Sequence, residues 1–255
     1  MIFRHGLAGL THKAAGGGGG LSIVGWTAAN KPGGSSGVTL DLTALDANGS
    51  ALGTGDGGAV LEDDVVYLLN AVNSNTSRVV TMSTAGYTQL NIQTEFPGND
   101  ITSALHRKVM GVTPDTTAVT SQNGDTTGAH IALCVVVRGA NTTTPEDVTA
   151  VESSASGDKD PNPASVTPTT AGAYILTFGA CTDTTAITNS LAVNADMTEI
   201  GQHEYDSGTL RSICVAGGIK TDWTSGAFDG GIWTASPAND SGNASSANTV
   251  AIRPA

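Results

Sequence analysis

The alternation of apolar and polar positions along the chain turns on one run, His130-Ile-Ala-Leu-Cys-Val-Val-Val-Arg-Gly-Ala140. In an extended backbone Ile131, Leu133, Val135 and Val137 share one face and Ala132, Cys134 and Val136 the other, because successive side chains point to opposite sides. A segment apolar on both faces, rich in β-branched residues and too short for a typical helix predicts a central strand covered from both sides. Residues 65–72, Val-Val-Tyr-Leu-Leu-Asn-Ala-Val, read the same way, and so do residues 172–181, with Tyr174, Leu176 and Phe178 on one face. Residues 87–96 alternate one-sidedly: Leu90, Ile92, Thr94 and Phe96 point one way and Asn91, Gln93 and Glu95 the other, the pattern of a half-buried antiparallel strand.

Runs at 21–26, 37–42, 78–82, 103–110, 117–121, 198–205, 210–220, 226–234 and 246–253 complete the series. The first two are separated by Asn30-Lys-Pro-Gly-Gly-Ser-Ser, which is turn chemistry. The short polar run 117–121 is expected at a sheet edge. Residues 152–168, with Asp158-Lys-Asp-Pro-Asn-Pro, are expected as a surface excursion. About a dozen to fifteen short strands without a helical period predict an all-β fold over residues 21–255: a two-sheet antiparallel β-sandwich, jelly-roll in topology.

Residues 1–20 stand apart from this pattern. Phe3, Leu7 and Leu10 lie at near-helical spacing, Arg4, His5, His12 and Lys13 gather there, and Gly16 to Gly20 form an unbroken glycine run. Glycine loses more backbone entropy on ordering than any other residue. The segment therefore reads as a docking peptide, with Phe3, Arg4, Leu7 and Leu10 as its contacts, on a flexible tether. A merely disordered end is the alternative.

Composition narrows the partners. A formal net charge of −12, spread along the chain, opposes association with nucleic acid and with anionic lipid surfaces. Cys134, Cys181 and Cys214 each lie in or beside an apolar run and form no C-x-x-C pair, so buried free thiols are expected rather than a disulfide framework. No signal-type apolar region and no 18-residue apolar run occurs, and the expectation is a soluble protein made in a cytoplasm. The Asn-x-Ser/Thr triplets at Asn75 and Asn141 then carry no weight.

Candidate chemistry is sparse. Gly33-Gly-Ser35-Ser-Gly37 matches the G-x-S-x-G elbow but follows Pro32 and enters a strand, whereas the chemistry needs a strand-to-helix turn. Asp46-Ala-Asn-Gly-Ser50 begins like a calcium loop and departs from it at Ala51 and Gly57. Asp56, Glu62, Asp63 and Asp64 form one acidic candidate and Asp158 with Asp160 a second; a solvated acidic face is the plainer reading of both. The five histidines show no ligand spacing, so no metal, no cofactor and no enzymatic activity is expected. Trp26, Trp233 and Trp223 read first as core. Trp223 beside Asp222 is also a candidate carbohydrate platform, the ring stacking on a sugar and the carboxylate taking its hydroxyls.

Several phrases resemble a group of tailed-bacteriophage virion proteins: Gly25-Trp-Thr after the glycine run, Asp63-Asp-Val-Val-Tyr, Gly86-Tyr-Thr, the strand 131–138 running into Arg138-Gly-Ala-Asn-Thr-Thr-Thr-Pro-Glu-Asp-Val148, and Val166-Thr-Pro-Thr-Thr-Ala-Gly-Ala-Tyr-Ile-Leu-Thr-Phe178. The resemblance covers most of residues 21–255 and implies a jelly-roll-like virion component of the tail, spike, fibre or decoration type. It implies docking on capsid, tail or baseplate proteins through residues 1–20, homo-oligomerisation, and, as the alternative role, recognition of a host-surface glycan. It carries no catalytic residue.

Overall fold

The computed structural model describes residues 20–32, 37–74, 76–95, 101–123, 128–183, 190–206, 211–238 and 243–255, and contains no helix among them. Eight strands come from the first half: β1 (Ser22–Pro32), β2 (Thr39–Asp41), β3 (Val65–Asn73), β4 (Val80–Met82), β5 (Thr88–Glu95), β6 (Ile101–Val109), β7 (Thr117–Gln122) and β8 (Ala129–Arg138). Seven follow: β9 (Val151–Ser156), β10 (Tyr174–Asp183), β11 (Ser190–Ala192), β12 (Thr198–Asp206), β13 (Ser212–Lys220), β14 (Thr234–Ser236) and β15 (Ala244–Ile252). They form two five-stranded sheets, ordered β1-β8-β3-β6-β5 and β12-β13-β10-β15-β9, a three-stranded sheet β2-β7-β4 and a pair β11-β14. Every ladder is antiparallel.

The large sheets pack face to face. Leu69, Leu133 and Val135 of the first meet Leu176, Phe178 and Val215 of the second in one cluster. On the outer face of the first sheet Val66, Leu68, Cys134 and Val136 lie under Leu40, Leu42, Leu45 and Ala118. On the outer face of the second, Cys181, Cys214 and Ala216 lie under Leu191, Trp233 and Ala235. The expected sandwich is therefore the middle of a four-layer stack. β8 is flanked by β1 and β3 and buried along nine of its ten residues, with the two apolar faces that its sequence shows.

Departures from the expected elements have local causes. β7 is the middle of its sheet rather than an edge; its alternating burial and its ladders to β2 and β4 are invisible in a polar hexapeptide. β1 runs through Asn30 to Pro32, in what reads as a turn, because β8 is long enough to pair with it throughout. β9 lies in the stretch expected as a surface excursion. It is an edge strand of Val-Glu-Ser-Ser-Ala-Ser held by its ladder to β15, and an edge needs little apolar signal. The run 226–234 yields only the start of β14, and β11 has no forecast. In β5 a bulge between Gln89 and Asn91 reverses the expected facing: Gln93 is buried, whereas Ile92 is 40% exposed, since one inserted residue switches every later side chain to the other face.

The two halves share one plan. Reading the sheets in the same sense gives β1-β8-β3-β6-β5 and β9-β15-β10-β13-β12. The registers coincide as well: Val66 pairs with Val136 and Lys108, and Ile175 pairs with Ala251 and Lys220. β12 carries its bulge between Glu199 and Gly201, in step with that of β5. The strands of each half divide between a large sheet and a smaller one, and a pseudo-two-fold axis relates the halves. That axis runs along the strands. The Asn73 amide donates to the Asp183 and Ser212 carbonyls at the distal pole (3.3 and 2.8 Å), and Ala140 bridges Pro254 at the proximal pole.

The axis leaves two seams between sheet edges, β1 against β12 and β9 against β5. Trp26 closes the first: its ring is 1% exposed, Nε1 donates to the Ala47 carbonyl at 3.1 Å, and Gly201 faces it. A Cβ on Gly201 would stand 2.1 Å from Trp26 Cε2. Gly201→Ala is therefore expected to cost about 1–3 kcal/mol, the range for overpacking a filled core. Urea denaturation checks it, and an unchanged midpoint would show that the ring has room to move.

Candidate functional site

The chain enters the body at the proximal pole. Leu21 is buried, and Ser22 pairs with Arg138, the last residue of β8. The Arg138 guanidinium grips the buried Asp64 carboxylate with two parallel bonds, Nε to Oδ1 at 2.8 Å and Nη2 to Oδ2 at 2.7 Å. This bond to Asp64 raises the arginine above its ordinary pKa, against a smaller opposing effect of burial. Asp64 also accepts the Leu61 N–H at 2.8 Å. The turn is closed by Asp63 N–H to the Met110 carbonyl and Met110 N–H to the Asp64 carbonyl. Asp63 sits at φ +66°, a left-handed conformation unusual outside glycine. Leu61 and Val112, on the two sides of this junction, are 53% and 81% exposed.

Arg253, which occupies the position of Arg138 in the second half, has its own carboxylate. Its Nε lies 3.2 Å from Asp147 Oδ1. Burial raises the Asp147 carboxyl, but hydrogen bonds from Thr170, Thr169 and Arg253 outweigh it and hold the group well below the usual carboxylate range. The proximal pole therefore carries two arginine–aspartate clamps, one on each half. Neither is legible in sequence, because the partners lie 74 and 106 residues apart.

Asp46, Asp56, Asp64, Asp158 and Asp160 already serve as hydrogen-bond acceptors within the fold. Asp46 accepts N–H bonds from Gly53 (2.9 Å) and Gly55 (2.7 Å) and the Thr54 hydroxyl. Burial opposes ionisation there, and these bonds nonetheless leave its pKa lowered. Asp56 accepts from Ala47 N–H, the Thr54 hydroxyl and the Ser50 hydroxyl, which lower it to about 2. Asp160 accepts Ala235 N–H at 2.7 Å, and Asp158 accepts Asp160 N–H at 2.9 Å. Among the described residues no three His, Cys, Asp or Glu side chains converge as a metal site would require.

Trp223 is half-buried against a satellite cluster of Val166, Ile175 and Ala251, and its Nε1 donates to the Gly226 carbonyl at 3.0 Å. The neighbouring Asp222 carboxylate is 78% exposed and pairs with Lys220 at 2.9 Å. Lys220 also lies 5.9 Å from the Phe228 ring centre. Its counterpart Lys108 repeats the arrangement with Asp115 and Tyr87, at 2.5 Å and 5.5 Å. Trp26 and Trp233 are core residues, and the three cysteines are buried free thiols, with burial raising Cys134 to about 12. Phe3, Arg4, Leu7, Leu10 and Gly33 to Ser36 lie outside the described residues. At the distal pole a fully buried Lys159 donates to Asp183 at 2.6 Å, an ion pair with no sequence signature.

No family model matches this chain, and no curated protein and no solved structure matches it.

Two outcomes follow from these contacts. Arg138→Ala strips the fork from a buried carboxylate and is expected to cost about 2–3 kcal/mol in chemical denaturation; a loss below a few tenths would show that solvent replaces the guanidinium. The His106 and His130 imidazoles are lowered to about 4 by burial, and His130 Nε2 donates to Asn70 Oδ1 at 2.6 Å. A depressed histidine binds its proton more weakly folded than unfolded. Its contribution, on the order of 3 kcal/mol each, is complete above about pH 6.5 and is lost as pH falls toward 4. Urea midpoints measured from pH 7 to pH 4 should fall over that interval, and a flat profile contradicts the assignment.

Proposed function

We propose that the chain is a non-enzymatic structural protein of a tailed-bacteriophage particle, a head decoration, spike or tail component held by residues 1–20 and displaying the four-layer body. The observation that carries this reading is the polarity of the fold. β1 begins and β15 ends at the proximal pole, so residue 20 and residue 255 both lie there. Among the described residues the distal pole carries strand ends and their connections, and neither residue 20 nor residue 255. A segment attached at the proximal pole mounts the body with its far end outward. Leu61 and Val112 add apolar surface beside the point of attachment. Setting aside Arg4 and Lys13 leaves residues 21–255 at −14, so the peptide is the cationic part of an otherwise acidic chain and suits a different surface from the body. The partners are other virion proteins, in a homo-oligomeric arrangement set by the particle's own symmetry.

Mass spectrometry of purified particles tests this reading. The full chain is expected in the particle, and a variant lacking residues 1–20 is expected to fold with an unchanged circular dichroism spectrum and to be missing from it. Particles without the full chain, or with the truncated chain at full copy number, contradict the reading.

A second reading, recognition of a host-surface glycan through Trp223 and Asp222, is favoured by the exposed Asp222 carboxylate beside the half-buried indole. Trp223→Ala is expected to abolish signals on a glycan array given by the parent chain; equal signals from both remove this platform.

A further inference from the structure

Cys181 and Cys214 stand directly opposite each other on β10 and β13 of the second large sheet. Directly paired residues of an antiparallel ladder point to the same face, and both thiols lie on the outer face, beneath Leu191, Trp233 and Ala235. Such residues have Cα atoms about 4.5–5.5 Å apart, inside the roughly 4.4–6.8 Å span that a disulfide bridges. The side chains also meet: a hydrogen bond shared with Cys181, with burial added, pushes the Cys214 thiol well above its ordinary range. Joining the two sulfurs calls for side-chain rotation and for no change of register.

The backbone plan does not itself call for sulfur at these places. In the first half the positions in the same register are held by Val72 and Thr102, which pair directly on β3 and β6. The remaining cysteine provides a contrast within the same chain. Cys134 pairs with Thr27 on one side and Leu68 on the other, and it belongs to the separate cluster under β2 and β7. Its neighbours offer it no second sulfur.

We propose that Cys181 and Cys214 are a latent disulfide, a covalent modification site that ties β10 to β13 beneath the β11–β14 pair. The oxidant is a small-molecule disulfide such as oxidised glutathione. One protein thiolate attacks it, forming a mixed disulfide and releasing one glutathione; the second protein sulfur then attacks the first and releases the other. Two protein thiols and one oxidised glutathione become one protein disulfide and two reduced glutathiones. The thiolate is the reacting form, and both sulfurs are sealed from solvent in the folded chain. Exchange therefore belongs to folding, before β11 and β14 cover the sheet. The bond closes the chain from residue 181 to residue 214 and stabilises the fold chiefly by restricting the unfolded chain. This site rests on strand register and not on the particle assignment.

The test refolds the full chain from urea, either in reduced glutathione alone or in a mixture of oxidised and reduced glutathione. In the mixture the free thiols are expected to fall from the three of the reduced chain to the single thiol of Cys134, with an unchanged circular dichroism spectrum. Mass spectrometry should find the tryptic peptides 160–211 and 212–220 joined with the loss of two hydrogens. The urea midpoint of the oxidised form should lie about 1 M above that of the reduced form, the shift expected for a loop of this length at ordinary denaturant slopes. The double variant Cys181→Val/Cys214→Thr installs the residues of the first half, and its midpoint should be the same under both conditions. Three free thiols in the refolded product, glutathione retained on either cysteine, a bond to Cys134, or an oxidised form no more stable than the reduced one would each overturn the proposal.

Discussion

The inner faces of the two five-stranded sheets have no other cover than each other. Leu69, Leu133 and Val135 on one side and Leu176, Phe178 and Val215 on the other are removed from water only when the halves meet, and a buried side chain of that size contributes about 1.5–3 kcal/mol. The small outer sheets can roof the outer faces, but they cannot roof these. The pseudo-two-fold arrangement, the seams and the polarity of the molecule all follow from this burial, because two sheets of one strand order that share a core must align their ends.

That alignment explains the polar contacts at the poles. Strand ends expose carbonyls and N–H groups where the ladders stop, and buried polar groups need partners. At the distal pole Asn73 spans both halves and Lys159 neutralises Asp183. At the proximal pole Arg138 and Arg253, equivalent in register, each hold an aspartate brought from a preceding loop. Polar groups here fix register and direction around an apolar middle that has no directional preference of its own. Residues 20 and 255 both lie at the pole that the two arginine clamps fix.

The all-β class and the central strands were readable because they depend on local alternation. β8 shows both of its faces in seven consecutive apolar residues, and the two chains of contacts that cover it are those its sequence implies. The duplication was not readable. What the halves share is hydrogen-bond register and a bulge position, and these constrain backbone geometry more than residue identity; Arg-Gly-Ala140 against Arg-Pro-Ala255 and Thr-Gln-Leu90 against Thr-Glu-Ile200 are the slight traces left. The inward facing of Gln93 on β5 was hidden for the same reason. A strict alternation across residues 90–96 places Gln93 in solvent, and only the bulge after Gln89 turns it and Asn91 inward. Single-residue insertions in a ladder leave no mark in a hydrophobic pattern. The clamps and the Lys159–Asp183 pair join distant positions through tertiary pairing, which spacing along the chain does not encode.

Whether the two halves hold together as one cooperative body is tested most directly by native-state hydrogen exchange resolved to single amides. With a shared core, the amides of β3 and β8 in the first half and of β10 and β13 in the second should exchange only through global unfolding, with one common free energy and one common dependence on denaturant. Protection in one half lower than in the other by more than about 2 kcal/mol, with a shallower denaturant slope, would mean that a half can open alone, and would contradict the dependence of each sheet on its partner.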